Sequence, residues 1–167
     1  MGKNFFIIGG PMGVGKSEVC RLLNKKLDNS VYLDGDWCWN MSPFRVTEET
    51  KALVMDNIRH MLGNFLGCSA FDNIVFCWVM HEQSIIDDIL AGLNTQSWEV
   101  KCISLVCSPD VLCRRLEGDI ASGVRTPDVV PRALARLRAY DNTLRTAKID
   151  TSELTVEQIA ELIAKMR

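Results

Sequence analysis

The chain lacks most of what marks a nucleic-acid binder, a membrane protein or a metal protein. Its 19 Lys and Arg are outnumbered by 21 Asp and Glu, for a net charge of −2. A phosphate-backbone partner demands the opposite balance, so no nucleic-acid partner is expected. Long apolar runs are also missing. Phe5–Ile8 is the longest near the start, too short for a signal-peptide core or a membrane span, and Gly2 has no Ser or Thr at position 6 for myristoylation. A cytoplasmic chain with no membrane partner is expected. Two histidines and seven cysteines without a Cys-x-x-Cys pair leave no zinc pattern. The cysteines lie mostly among apolar neighbours, as in Phe76-Cys77-Trp78, and read as small buried hydrophobes of a reducing compartment. There are no internal repeats and no low-complexity segment. What is present, 167 residues with 47% apolar and 24% charged content, suits one domain over 1–167.

The order of elements follows from periodicity. Asn4 to Gly9 is an unbroken apolar run, the pattern of a strand buried on both faces of a parallel sheet. Apolar residues at helical spacing follow from Lys16 to about Leu27, then a short strand Val31–Leu33. A long helix fits Glu48–Leu66 behind a Thr47 cap, a third strand Ile74–Val79, and a helix about Glu82 to Leu93. Trp98–Val106 makes a fourth strand, and Ser108-Pro109 starts a helix that is expected to fade at Gly118. Because proline is excluded from helix interiors, the next helix should begin beside Pro131 and run to about Leu144. Lys148–Asp150 reads as a fifth strand, and Thr155 with Gln158 forms a capping box for a last helix to Lys165. Strands alternating with helices give an α/β fold, a parallel sheet covered on both faces.

Between the first strand and first helix lies Gly10-Pro11-Met12-Gly13-Val14-Gly15-Lys16-Ser17, which satisfies the pattern glycine, four residues, Gly-Lys-Ser in the context that pattern requires. The glycines let backbone N–H groups turn toward polyphosphate, the helix start adds positive dipole, Lys16 reaches the outer phosphates, and Ser17 can ligate Mg²⁺. Asp34-Gly35-Asp36 ends the second strand, at the sheet edge where α/β folds bind ligands. Phosphoryl transfer needs one carboxylate to accept a hydroxyl proton and another to help fix the metal, although a plain strand-ending turn uses the same residues. If the strand continues through the turn, both side chains leave on one face, with Asp36 further from the phosphate loop.

Together, the phosphate loop, the Leu33-Asp34-Gly35-Asp36 strand end and the Arg-bearing segment after strand four resemble the small P-loop kinases, a group including gluconate kinase, shikimate kinase, adenylyl-sulfate kinase and chloramphenicol phosphotransferase. The likeness implies a three-layer sandwich around five parallel strands in order 2-3-1-4-5, an acceptor-binding region after strand two (about 36–66), and a mobile lid after the fourth helix. It implies ATP as the nucleotide, Asp34 near Mg²⁺, Asp36 holding or deprotonating the acceptor hydroxyl, and Arg115 near the nucleotide base.

Seven of eleven arginines (Arg114, Arg115, Arg125, Arg132, Arg136, Arg138 and Arg145) fall in 32 residues with four acidic side chains. Arg125, in the polar stretch 118–128, is the lid candidate able to meet charge on a transferred phosphoryl group. Arg132, Arg136 and Arg138 read as a solvated helix face. Trp37, Trp39, Phe44 and Arg45 suggest an aromatic loop near the acceptor, where exposure in a cleft would separate substrate contact from core. His81 ends strand three facing the ligand edge, and Thr151-Ser152 after strand five is placed to border the base. That strand end, Val79-Met80-His81-Glu82, carries no Walker B aspartate, which tells against a motor ATPase or AAA domain.

The expected function is an ATP-dependent phosphotransferase moving the γ-phosphoryl of MgATP to a hydroxyl or phosphate of a small-molecule acceptor. Its catalytic residues are Lys16, Asp36 and Arg125, its metal ligands Ser17 and Asp34. The alternatives are a nucleotide-hydrolysing switch or a non-catalytic nucleotide-binding module. A guanine switch would carry Asn-Lys-x-Asp, but Asn24-Lys25-Lys26-Leu27 misses its last residue, and no Asp-x-x-Gly occurs.

Overall fold

In chain order, a computed structural model describing residues 2–142 and 144–166 shows β1 (Lys3–Gly9), α1 (Lys16–Lys26), β2 (Ser30–Asp34), a 3-10 turn (Gly35–Trp39), α2 (Glu48–Gly67), β3 (Asn73–Cys77), α3 (Gln83–Leu90), β4 (Trp98–Val106), α4 (Pro109–Ala121), α5 (Val129–Asn142), β5 (Ala147–Asp150) and α6 (Val156–Ala164). The strands form one five-stranded sheet in the order β2-β3-β1-β4-β5, every pairing parallel. Both the α/β class and the strand order expected from the kinase resemblance hold.

The apolar run of β1 is explained by its place in the middle. Alternate side chains leave opposite faces of a strand, and both faces here are covered. Phe6 and Ile8 enter a core with Val19, Cys20 and Leu23 of α1, Leu112 and Leu116 of α4, and Ile159 and Ile163 of α6. Phe5 and Ile7 enter the other with Val54, Ile58 and Leu62 of α2 and Ile86 and Ile89 of α3. Each of these four β1 side chains is essentially inaccessible, worth about 1.5–3 kcal/mol apiece relative to exposure. Three of the seven cysteines, Cys20, Cys77 and Cys107, are buried, and the others are half-buried.

Three element boundaries differ from the sequence reading. β3 ends at Cys77, two residues early; the Trp78 N–H still donates to the Ile8 carbonyl at 3.2 Å while its side chain packs beside Gly35. α4 runs through Gly118 to Ala121, so tertiary packing overrides the helix cost of glycine, and the lid segment shortens to 122–128. α5 begins at Val129 and takes Pro131 inside its first turn, where an N–H would have no intrahelical acceptor. The expected end near Leu144 adjoins Thr143, which lies outside the described residues.

The chain crosses from β1 to β2 on one side and from β3 to β4 on the other. The carboxyl edge of β1 is therefore the switch point of a doubly wound sheet, where a crevice opens.

Candidate nucleotide and acceptor site

The crevice is a cleft of about 1330 Å³ lined by the phosphate loop from Met12 to Ser17, by Asp34 and Asp36, by Trp37, Trp39 and Phe44, and by His81, Arg115, Asp119, Arg125, Arg132 and Arg136. Lys16, Ser17, Asp34, Asp36, Arg115 and Arg125, expected at the site, thus share one wall. Gly10 and Pro11 form the root of the loop rather than its lining.

Gly13 sits at φ +84°, and a Cβ there would come within 2.5 Å of Leu116, so the residue is bound to be glycine on both counts. α1 then starts at Gly15 without a side-chain cap, as α3 does behind Glu82, whereas α2, α4 and α6 are capped by Thr47, Ser108 and Thr155. Its first-turn N–H groups stay available to an anion. Lys16 donates to the Pro11 carbonyl at 2.9 Å, and burial pulls its ammonium below the usual lysine range against the raising effects of Cys77, Asp36 and Asp34.

Asp34, buried at the end of β2, is a hub. One carboxylate oxygen accepts from Ser17 Oγ at 2.8 Å and from the Tyr32 hydroxyl at 3.0 Å, and the other from the Asp36 backbone N–H at 3.0 Å. It stands level with Cys77 of β3. The second strand thus carries a carboxylate beside the end of the third, which has none. The oxygen pair of Ser17 and Asp34 fits a hard divalent cation.

Asp36 arrives differently from the expected route. The strand stops at Asp34 and a 3-10 turn follows, so strand alternation does not set its direction. It lines the cleft nonetheless, because the turn is pinned by the Asp34 bond and by contact of Gly35 with the Trp78 ring, where a Cβ would fall 2.5 Å from Cγ. Desolvation raises the Asp36 carboxyl above the usual carboxylate range and Asp34 adds to it, while Lys16, a hydrogen bond from the Trp78 side chain and Arg125 pull the other way.

The lid candidate Arg125 is tied back to the end of α4, its Nε 3.0 Å from Asp119 Oδ2. Arg115 is a clasp, donating to the Val14 carbonyl at 3.3 Å and to Thr151 Oγ1 and O at 3.0 and 2.9 Å. Ser152 caps the same corner by accepting from Ser108 N–H.

Sequence reasoning missed Trp78 and Tyr32, which orient the two aspartates, and gave Arg132 and Arg136 to solvent although both line the cleft. The i, i+4 spacing of those arginines places them on one helix face, and only the packing of α5 shows which way that face turns. His81 also lines the cleft. Burial and then Arg136 hold its imidazole below its ordinary range, and its Nδ1 is buried without a partner among the described residues.

The AAA domain family AAA_18 matches residues 7–130. The chain belongs to that family. The family match corrects the expectation that the absent Walker B aspartate tells against an AAA domain. This AAA domain is P-loop kinase-like in architecture, and the solved structures it resembles agree. A gluconokinase from Sinorhizobium meliloti 1021 superposes with a TM-score of 0.69 at 16% identity, over 98% of this chain and 93% of that one. A sugar kinase from Janibacter sp. HTCC2649 gives 0.71 at 13% over 98% and 93%, and the tunicamycin resistance protein of Deinococcus radiodurans 0.67 at 20% over 98% and 95%. No curated protein sequence matches the chain. Among the described residues of this AAA domain, no helix is long and apolar enough to cross a membrane.

Proposed function

We propose that the protein is an ATP-dependent kinase transferring the γ-phosphoryl group to a hydroxyl of a small-molecule acceptor. One observation carries this reading. Asp36, a carboxylate that phosphate binding alone does not require, stands in the cleft within electrostatic reach of both Lys16 and Arg125. When bound, MgATP supplies the transferable phosphoryl group and a cation charge on its outer oxygens. The uncapped start of α1 and the loop N–H groups hold the phosphates, and Lys16 exchanges the Pro11 carbonyl for a phosphate oxygen. Ser17 and Asp34 hold the cation.

Asp36 accepts the acceptor's hydroxyl proton, and its raised proton affinity brings it nearer to neutral working pH than a solvated carboxylate. Segment 122–128 is the lid. Arg125, released from Asp119, meets the charge that develops on the transferred group. Seven free thiols suit the reducing cytoplasm.

The test is ADP release from MgATP across a panel of hydroxylated acceptors, beside a blank without acceptor. Acceptor-dependent release that Asp36→Asn removes supports the kinase, whereas release equal in the blank and insensitive to Asp36→Asn points to hydrolysis alone.

A further inference from the structure

Two of the named neighbours are a gluconokinase and a sugar kinase, and a third is a tunicamycin resistance protein. In the proposed acceptor half of this cleft, polar Asn40 and Lys51 share the lining with a run of large apolar groups, Trp37, Trp39, Met41, Phe44 and Val46. Trp37 is 52% exposed and Phe44 64% exposed, so large apolar faces stand open to water inside a concavity. Of the exposed large apolar side chains among the described residues, Trp37, Phe44 and Val46 are the ones that line the cleft.

These rings are also held in place. Trp37 packs edge-on against Tyr32 at 5.2 Å between centroids, and the Tyr32 hydroxyl is itself bonded to Asp34, so the indole is braced on the hub of the site. Trp39 leans on Phe44 at 5.6 Å and 52°. Two braced aromatic surfaces line the same cleft as the proposed base Asp36, and they suit a flat ring, since ring faces attract offset or edge-on partners and indole gives a large rigid contact at small entropic cost.

We infer that the acceptor is an alcohol carried on a flat aromatic or heteroaromatic ring, with the ring against Trp37 and the Trp39–Phe44 pair and the hydroxyl at Asp36. This rests on the kinase reading only for the direction of the hydroxyl; the ring slot stands on its own geometry. Trp37 and Phe44 act as specificity residues that fix the ring and leave the nucleotide side untouched.

The experiment saturates the full-length protein with MgADP, to fill the nucleotide side, and titrates it with para-nitrobenzyl alcohol, uridine, gluconate and glycerol while following tryptophan fluorescence. ADP release from MgATP is measured with the same four compounds. The ring-bearing pair should quench fluorescence and the ring-free pair should not. Trp37→Phe should remove most of the quenching yet keep the affinity, whereas Trp37→Ala should weaken ring binding about 10-fold or more with MgATP affinity unchanged, as stacking contacts lose on truncation. Phe44→Ala, on an exposed residue, gives a second reading should Trp37→Ala fail to fold. Quenching without ADP release keeps the ring slot and overturns the kinase. ADP release with gluconate or glycerol but no binding of either ring compound keeps the kinase and overturns the slot, as does ring binding that neither Trp37→Ala nor Phe44→Ala weakens. Absence of both binding and release across the panel overturns both.

Discussion

The two halves of the cleft are made by opposite means. On the phosphate side the working groups are backbone N–H donors, glycines and one buried lysine, set by a loop that is pinned at Pro11, Val14 and Leu116. On the acceptor side they are large side chains on a short 3-10 turn and the loop after it, with half-exposed faces. On the kinase reading, recognition of phosphate, the same in every turnover, tolerates a rigid backbone cradle, and recognition of a particular acceptor is left to side chains that substitution can change without disturbing the sheet.

The sharpest way to break that division is Lys16→Ala. ADP release should fall by about 10³-fold or more, with MgATP binding weakened in calorimetry. The melting temperature should change little, because the burial cost of the ammonium offsets its bond to the Pro11 carbonyl. Asp36→Asn should lower turnover by about 10²–10⁴ with MgATP affinity near wild type, placing its whole effect on the acceptor side. The wild-type rate should fall as pH drops through the raised Asp36 value, since only the ionised carboxylate accepts a proton, and this acid limb should vanish in Asp36→Asn. Arg125→Ala should reduce turnover by about 10²–10³ and nucleotide binding far less, as a contact made on closure would.

Gly35→Ala tests the hinge between the halves. The added methyl meets the Trp78 ring, so stability should drop by about 1–3 kcal/mol, read as a lowered melting temperature, with acceptor turnover suffering more than nucleotide affinity. The smallest effect is a pH dependence of stability. A folded-state value raised by burial means that the native state binds the extra proton, so the contribution is present at low pH and lost as pH rises through the folded value. Asp36→Asn should match wild type in chemical denaturation below the ordinary carboxylate range and become slightly the more stable of the two above it.

How far each half could be read in the sequence follows the same division. The phosphate loop and the central strands declare themselves because backbone geometry demands glycine at fixed spacing and double burial demands an apolar run. Asp34 and Asp36 could be chosen as a pair, but not their wiring. Tyr32 and Trp78 act across strands that only the sheet register brings together, and nothing local marks them. Gly118 and Pro131 also misled. Helix propensity is a local quantity, while the core contacts of Leu112 and Leu116 that carry α4 past Gly118 are long-range, and Pro131 falls in the first turn of α5, where its missing N–H costs no helical bond.

Arg115 has a bearing on how the molecule comes to be finished. Its guanidinium joins the Val14 carbonyl to Thr151, residues from near the two ends of the chain. The nucleotide loop is complete in sequence by Ser17, yet the clasp that holds it needs Thr151, which follows β5. Contacts of such long sequence separation form late and slowly. A chain halted before Thr151 would carry the whole phosphate motif and still lack the brace that holds it.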